Sequence, residues 1–304
     1  MLQQNQNMLA ATQLLVPTQQ MYFGANEKAL KIRMKSVNSI RKITKAMKMV
    51  ATAKMKGDLT RLAAGKNFGI GAIETMFASD EEARGKQPAA VGASELIVPI
   101  TSDKGMCGST NSGIVRDLRD YIGERDRSKL NIFCIGDKGT VGLTRRYGDI
   151  LKVGVSEIQT PYNYPTAMGL ADNIVSFSEE VGSEKIVVMY NEYVSAIKTN
   201  IRHLELMSRQ RFIETVAGMY VYKVALPDKN TAGPALYDLY VTSNLWVALL
   251  NNAASEQSAR MNAMENASKN AGEILDGLTL QYNKARQARI TMELVEIISG
   301  ASAL

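Results

Sequence analysis

The sequence predicts an α/β protein in which a long antiparallel coiled coil of N- and C-terminal helices carries a central Rossmann-like α/β domain. Apart from Pro17, every proline lies between residues 88 and 234, so both flanks can form uninterrupted helix. Both flanks also repeat apolar residues at alternating spacings of three and four, as coiled coils do. Between the flanks, strand-like runs alternate with helix-like runs, which is typical of a parallel sheet covered by helices.

The N-terminal flank predicts a helix from about Asn26 to Thr75. Its heptad seam consists of Val37, Ile40, Thr44, Met47 and Ala51. Glycines at 57, 65, 69 and 71 each cost a helix up to about 1 kcal/mol relative to alanine, so we expect fraying or a bend there. Residues 1–26 carry no charge and lack the arginines of a transit peptide, which favours a retained extension that is too polar to cross a bilayer.

The C-terminal flank predicts a longer helix from Asn244 to Leu304. At 1.5 Å per residue it would reach roughly 90 Å, so we expect it to project from the body or to thread a partner. One inserted domain separates the flanks, so the two helices can pair only where the chain returns, which makes the coiled coil antiparallel. The predicted seam is Leu250, Ala253, Gln257, Arg260, Met264, Ala267, Ala271, Ile274, Leu278, Gln281, Ala285, Ala288, Met292 and Val295.

The middle of the chain predicts one compact domain. Its strands are Glu95–Thr101, Leu130–Ile135, Ile150–Val155 and Lys185–Tyr190, with further edge strands at Tyr193–Leu206 and Tyr220–Ala225. Its helices are Ser112–Arg125, Asp137–Tyr147, Thr166–Val181 and Arg209–Gly218. The predicted organisation is therefore an extension at 1–26, a coiled-coil helix at 27–90, the α/β domain at 91–235 and a second coiled-coil helix at 236–304.

Residues that could carry chemistry do not form a recognisable pattern. The single histidine, His203, stands in a strand-like run without a partner for a triad or a metal site. Gly136, Gly139 and Gly142 form a GxxGxxG series, which indicates a tight strand-to-helix turn and lacks the GxGxxG spacing of dinucleotide-binding folds. Two cysteines are too few for a four-cysteine zinc site. We predict no catalytic, cofactor-binding or metal site.

Charge is distributed unevenly. The 304-residue chain has a net charge of +6, and residues 27–56 contain ten basic residues against one acid, Glu27. This pattern predicts an acidic surface opposite the first helix, which could belong to a protein or to nucleic acid. After Glu296 the chain ends in eight uncharged residues, a slim apolar tip suited to a dry sleeve in a partner.

Three segments together resemble the gamma subunit of F-type ATP synthases, in its mitochondrial form. They are RMKSVNSIRKITKAMKMVATAKM at 33–55, TSDKGMCG at 101–108 and YNKARQARITMELVEIISGASAL at 282–304. The resemblance covers about residues 27–304, while Ser109–Thr110 and Met292 depart from the family's usual residues. It implies a non-catalytic central-stalk rotor shaft that couples proton-driven rotation to ATP synthesis or hydrolysis on partner beta subunits.

The resemblance also implies partners and contact residues. The shaft would thread a hexamer of three alpha and three beta subunits, and the α/β domain would form a foot with small delta- or epsilon-type subunits on the membrane c-ring. Location would be the matrix side of the mitochondrial inner membrane rather than a bacterial cytoplasmic face, without membrane insertion. The matching partner-binding positions are Lys42, Lys45, Met47 and Lys48, facing acidic levers of beta; Arg286, Gln287 and Thr291, at a catch loop of beta; and Ile297, Ile298 and Leu304, in the upper sleeve.

Two other classes remain open from the residues alone. A nucleic-acid-binding coiled-coil protein would use the basic helix as its footprint and would bind DNA or RNA with strong salt dependence. An enzyme with a Rossmann-like domain would bind a nucleotide without partners. Neither explains the charge-free C-terminal tip, and the basic helix has no interleaved aromatic residues for base stacking.

Overall fold

The computed structural model describes residues 2–76, 94–123, 125–218 and 229–303, with side chains for residues 27–69, 94–123, 125–216 and 232–303. Two very long helices flank a group of shorter elements. The helices are α1 (Leu2–Met76), α2 (Thr110–Ile122), α3 (Asp137–Tyr147), α4 (Tyr164–Glu180), α5 (Arg209–Gly218) and α6 (Lys229–Ser302), with a 3₁₀ turn at Arg127–Lys129. The strands are β1 (Glu95–Pro99), β2 (Leu130–Ile135), β3 (Leu151–Val155), β4 (Lys185–Tyr193) and β5 (Thr199–Met207).

The five strands form one sheet in the order β3-β2-β1-β4-β5. Pairing is parallel except at the edge, where β5 runs antiparallel to β4 as a hairpin. The chain moves from β1 outward through β2 to β3 and then returns to the other side of β1 to form β4. The strand order therefore reverses between β1 and β4, which is the topological switch point of a doubly wound sheet.

Strand β1 is buried on both faces, because helices cover both sides of the sheet. Its alternate residues enter two cores: Leu96 and Val98 pack with α4, α5 and α6, whereas Ile97 packs with α2 and α3. The first core holds Phe212 stacked on Tyr240 at 4.9 Å between ring centroids. The predicted α/β domain with a mainly parallel sheet is confirmed.

The described chain divides into two compact units. One contains Met1–Met47 and Met264–Leu304, and the other contains Lys48–Ala263. In the first, Glu27 pairs with Arg289, and a Cβ added to Gly272 would lie 3.9 Å from Arg41 Nε. Residue numbers rise along α1 as they fall along α6, so the helices are antiparallel there. The domain boundaries at residues 26, 90 and 235 stay a prediction.

The second unit contains its own antiparallel pair, in which α1 meets α6 through glycines. Gly65 lies against Leu250, and Gly69 lies against Val247, each too close to accommodate a side chain. The predicted fraying at these glycines is wrong, because α1 continues to Met76. Their missing side chains allow α6 to approach the backbone of α1, and this packing offsets their poor helix propensity.

The seam predicted for the coiled coil is partly wrong. Ile40 and Ile274 were placed in it, yet their side chains are 51% and 54% exposed, and Leu275 is the more buried neighbour. Val295 is 56% exposed as well. A repeat of alternating three- and four-residue spacings can be assigned in more than one register. In an alanine-rich stretch, neighbouring positions differ little in hydrophobicity, so the sequence does not show which register is buried.

Several predicted elements have other ends in the structure, and α1 begins at Leu2 rather than near Asn26. Helix α6 begins at Lys229, fifteen residues before the predicted start at Asn244, and includes Pro234 in its second turn. There the missing N–H removes one backbone hydrogen bond at most. The predicted strand at Tyr193–Leu206 divides into the end of β4, a turn and β5. The predicted strand at Tyr220–Ala225 lies outside the described residues.

Candidate partner-binding surfaces

The basic segment of α1 points away from the interior. Lys42 and Lys45 are exposed and form no ion pair among the described residues, whereas Thr44 between them is buried. Met47, the last α1 residue of the first unit, and Lys48, the first residue of the second, are half-buried. A lysine without an internal carboxylate retains its full charge for an external acidic surface.

On α6, the predicted catch-loop residues Arg286, Gln287 and Thr291 are exposed. Gln287 and Thr291 stand one turn apart and therefore share a face of the helix. The Thr291 hydroxyl donates to the Gln287 carbonyl at 3.0 Å, so its proton is used inside the helix and its lone pairs remain available. Arg286 presents a planar guanidinium fork suited to a carboxylate.

An ion-pair network that the sequence analysis did not identify lies beside these residues in the first unit. Arg289 Nε donates to the Glu27 carboxylate at 2.7 Å, and Arg289 also bonds Glu293 at 2.8 Å. The hydrogen bond from Arg289 is the main cause that lowers the pKa of Glu27 below its ordinary value. The sequence offered one indication of this ion pair, since Glu27 is the only acidic residue in 27–56 beside ten basic residues.

The first unit exposes many large apolar side chains. At the tip, Ile297 and Ile298 are 67% and 66% exposed, while Leu304 lies outside the described residues. A folded chain usually buries such groups or presents them to a partner. Among the side chains of this unit that the structure describes, the exposed large apolar residues are Ile32, Ile40, Ile43, Ile274, Leu280, Ile290, Leu294, Val295, Ile297 and Ile298.

The edge of the sheet where Rossmann enzymes bind nucleotides is closely packed in this chain. Gly136 has a φ of +101°, and a side chain there would collide with the backbone of Thr101. The Thr101 hydroxyl accepts from the Gly139 N–H at 2.9 Å, so a threonine fills the space above the turn. This agrees with the prediction of a tight strand-to-helix turn.

The sequence offered no partner for His203, but the folded chain supplies two. Its ring pairs with the Asp117 carboxylate and lies edge-on to Tyr121 at 5.3 Å between ring centroids. In the described parts of the chain, no group of three or more potential ligands is arranged to hold a metal ion. Within the same residues, no helix is long and apolar enough to span a bilayer.

A buried polar face of α6 was also missed. The side chains of Asn251, Asn252, Ser255 and Ser258 are at most 3% exposed, although they lie on a helix predicted to form an apolar coiled-coil seam. Their spacing of one, three and three places them on one side of the helix. That periodicity was visible in the sequence, but their partners are brought close only by the folded chain.

Comparison with known proteins decides between the open classes. A family profile described as ATP synthase matches residues 26–304. The mitochondrial ATP synthase subunit gamma of Drosophila melanogaster is 36% identical over 310 residues, covering 98% of this chain and 99% of the relative. The chain belongs to the ATP synthase gamma-subunit family. The gamma chain of Paracoccus denitrificans is 36% identical over 296 residues, covering 91% of this chain and 99% of the relative.

Solved structures agree with this family. A chain of the Tetrahymena thermophila mitochondrial ATP synthase, from its central stalk and c-ring, is 38% identical with a TM-score of 0.67, covering 74% of this chain and 99% of that chain. A chain of the Euglena gracilis mitochondrial ATP synthase has a TM-score of 0.76, covering 92% of this chain and 95% of that one. At 22% identity, the second likeness shows the fold alone.

Membership of the gamma family determines the general role. A gamma subunit is a non-catalytic rotor component of the central stalk of ATP synthase, and catalysis takes place on the beta subunits. No relative or structural neighbour supports the nucleic-acid-binding alternative. The mitochondrial relatives from an insect and from the plant Ipomoea batatas indicate a mitochondrial location.

Proposed function

We propose that the helical pair of the first unit is a shaft that turns inside a ring of three alpha and three beta subunits. In the same proposal, the α/β domain binds small delta- or epsilon-type subunits and contacts the membrane c-ring. The chain would act on the matrix side of the inner membrane, as a peripheral component. Its relatives in mitochondrial ATP synthases support this placement.

The observation that carries the proposal is the exposed apolar surface of the first unit. Leu280 and Ile298 are 58% and 66% exposed, although they belong to a regular helix. Leaving a side chain of this size in water forgoes about 1.5–3 kcal/mol of burial. Exposure of ten such residues in one helical pair favours an enclosing partner, and the absence of charged side chains after Glu296 would allow the tip to rotate without attachment at one angle.

The basic residues would supply the electrostatic part of the contact. We assign Lys42, Lys45, Met47 and Lys48 to the acidic levers of beta, because Lys42 and Lys45 are exposed and form no ion pair among the described residues that would compete with a partner. Arg286, Gln287 and Thr291 would hydrogen-bond a beta catch loop. Ile297, Ile298 and Leu304 would lie in the upper sleeve, where only apolar packing is needed.

Catalytic asymmetry would follow from this fit. Each beta subunit would meet a different face of the shaft, and a face that contacts one conformation more favourably shifts that subunit toward it. Converting a two-state site from 1:99 to 99:1 needs about 5.5 kcal/mol of differential contact energy. A few buried apolar groups and ion pairs on one shaft face can supply an energy of this size.

The charge contact can be tested by reversal in the assembled complex. We expect the Lys42→Glu/Lys45→Glu variant to weaken coupling between proton flow and ATP synthesis in reconstituted vesicles, while the isolated chain melts normally because both residues are exposed. The matched control is Arg145→Glu/Lys198→Glu, which makes the same charge change at exposed positions of the α/β domain. Equal coupling in the two variants would contradict the assignment of the lysines.

A further inference from the structure

The buried polar face of α6 forms a row of hydrogen bonds to the end of β4 and the turn after it. Asn252 Oδ1 accepts from the Asn191 side-chain amide at 3.0 Å, and the Ser255 hydroxyl donates to the Asn191 carbonyl at 3.0 Å. Further along the helix, the Ser258 hydroxyl donates to the carbonyl of Ala196 at 2.8 Å. All these groups belong to the second unit.

The row continues for one more turn of α6. The Asn262 amide donates to the same Ala196 carbonyl at 2.6 Å. At the other end, Asn251 Oδ1 accepts weakly from the Tyr193 N–H at 3.4 Å. From Asn251 to Asn262, side chains of the helix thus bond β4 or its turn over three turns, and the Asn251 amide also donates to the Val247 carbonyl of the helix itself at 2.9 Å.

A second contact joins α6 to the loop that follows β1. Arg260 donates to the carbonyls of Lys104 and Gly105, both at 3.3 Å, and bonds Glu256 at 2.5 Å. The Arg260 and Glu256 side chains are only 11% and 14% exposed. Burial raises the pKa of Glu256 above its ordinary value, and the charge of Arg260 opposes that shift.

These two contacts lie on either side of the switch point between β1 and β4. In doubly wound folds, the crevice outside the carboxyl ends of the strands at this point receives the ligand. Here α6 residues 251–262 bridge the loop after β1 and the end of β4, so this segment of α6 lies where a nucleotide lies in an enzyme of this architecture. The crevice is used to hold a helix of the same chain.

The chemistry of the contact suits a mechanical role. Apolar surfaces attract without direction and tolerate sliding, whereas a hydrogen bond weakens steeply when its angle departs from linearity. A rotation of α6 about its axis would break several of these bonds together, and the freed groups of Asn191, Asn252 and Ser255 would be buried without a partner.

We infer that residues 251–262 of α6 form a torsion-bearing joint that fixes the rotation of this segment of α6 about its axis, against β4 and the loop after β1. The inference rests on the proposed rotor function, and it assigns to Ser255, Ser258 and Asn262 a positioning role in torque transmission. Torque applied at the α/β domain would pass through the hydrogen-bond row into α6. Loosening the row would make the stalk more compliant.

The test uses the whole assembled complex with two matched double variants of α6. Ser258→Ala/Asn262→Ala removes two bonds of the joint. Ser243→Ala/Asn244→Ala changes the same residue types on the same helix, but Ser243 has no hydrogen-bond partner among the described residues, and Asn244 bonds only the Tyr240 carbonyl of its own helix. The measurement is the angular variance of a probe on the α/β domain while the alpha–beta ring is held fixed.

We expect the joint variant to increase the angular variance about twofold or more, because the lost bonds are directional and partly buried, while the control variant matches the unaltered chain. ATP hydrolysis by the complex should remain close to normal in both. Equal variance in the joint and control variants would overturn the inference. If the double variant does not assemble, Asn262→Ala replaces it, since Asn262 is only half-buried, and unchanged variance there would overturn the inference equally.

Failure of the proposed function gives a different result. In that case the unaltered chain would not rotate relative to the alpha–beta ring during ATP hydrolysis. This result would appear without any variant. The unaltered chain could instead rotate while the joint variants show unchanged angular variance. This result would support the rotor function and contradict only the inferred joint.

Discussion

Helix α6 has two different environments along its length. In the second unit, Leu249 and Ala248 are 0% exposed and pack into the core of the α/β domain. In the first unit, Ile274 and Leu280 are 54% and 58% exposed, although the helix is equally regular. Residues of the same chemical type are thus buried by the chain itself in one unit and left open in the other.

This difference teaches where the stability of each region originates. The α/β domain is stabilised by contacts within the chain, which is the ordinary condition of a globular core. The helical pair of the first unit has a thin interface with few large buried side chains, among them Leu30 at 8% and Met264 at 6% exposure. Such a pair gains much less free energy from its own packing, and we expect partner contacts to supply the rest.

The largest effect should come from placing a carboxylate at a buried position of α6 in the second unit, compared with an exposed position of α6 in the first unit. Leu249→Asp should destabilise the isolated chain by about 3 kcal/mol or more, because a carboxylate would be buried without a partner. Leu280→Asp should change stability by only about 0.5 kcal/mol, because its side chain is exposed, yet it should impair assembly with the alpha–beta ring. Denaturant unfolding and co-purification measure the two effects, and similar unfolding midpoints would break the comparison.

An intermediate effect should come from two glycines, with opposite signs. Gly69→Ala should destabilise by about 1 kcal/mol or more, because the added methyl would meet the stiff side chain of Val247. Gly277→Ala should stabilise by up to about 1 kcal/mol, because nothing lies within 4 Å and alanine is the better helix former. Thermal melts of the full chain would show the signs, and a stabilised Gly69→Ala would contradict the close packing.

The smallest effect concerns the ion pair between Glu27 and Arg289 in the first unit. The pKa of Glu27 is lowered in the folded chain, so the pair contributes above the unfolded pKa and its contribution is lost as the pH falls through the lowered value. Glu27→Gln should slightly lower the melting temperature at neutral pH and should make no difference at a pH below that value. Thermal melts of the full chain at both pH values test this prediction. An equal lowering of the melting temperature by Glu27→Gln at low pH would contradict it.

Much of the fold could be predicted because its signals are local. Alternating apolar runs and the placement of prolines identified all four strands of the parallel part of the sheet and the two long helices. The seam of the pair was harder, since Ile274 and Leu275 are adjacent and both apolar. Only contact with the opposite helix decides which of them is buried.

The candidate sites divide in the same way. Exposure of Lys42, Lys45 and Arg286 follows from a charged side chain on a helix, which the sequence already indicates. The joint around Ser255 and Asn262 could not be predicted, because its partners Asn191 and Ala196 are 64 and 66 residues away in the chain. A hydrogen bond at that separation carries no periodic signal in the sequence.

By itself, the sequence determined the α/β class, the long terminal helices, the basic face and the family, because periodicity, charge and motif order are properties of the chain alone. Only the tertiary structure decided that Gly69 is a contact point rather than a break, and that a polar face of α6 fills the crevice between β1 and β4. These outcomes depend on which groups, distant in the sequence, contact one another in the fold. Such contacts matter because a buried polar group that lacks water must find a hydrogen-bond partner within the protein.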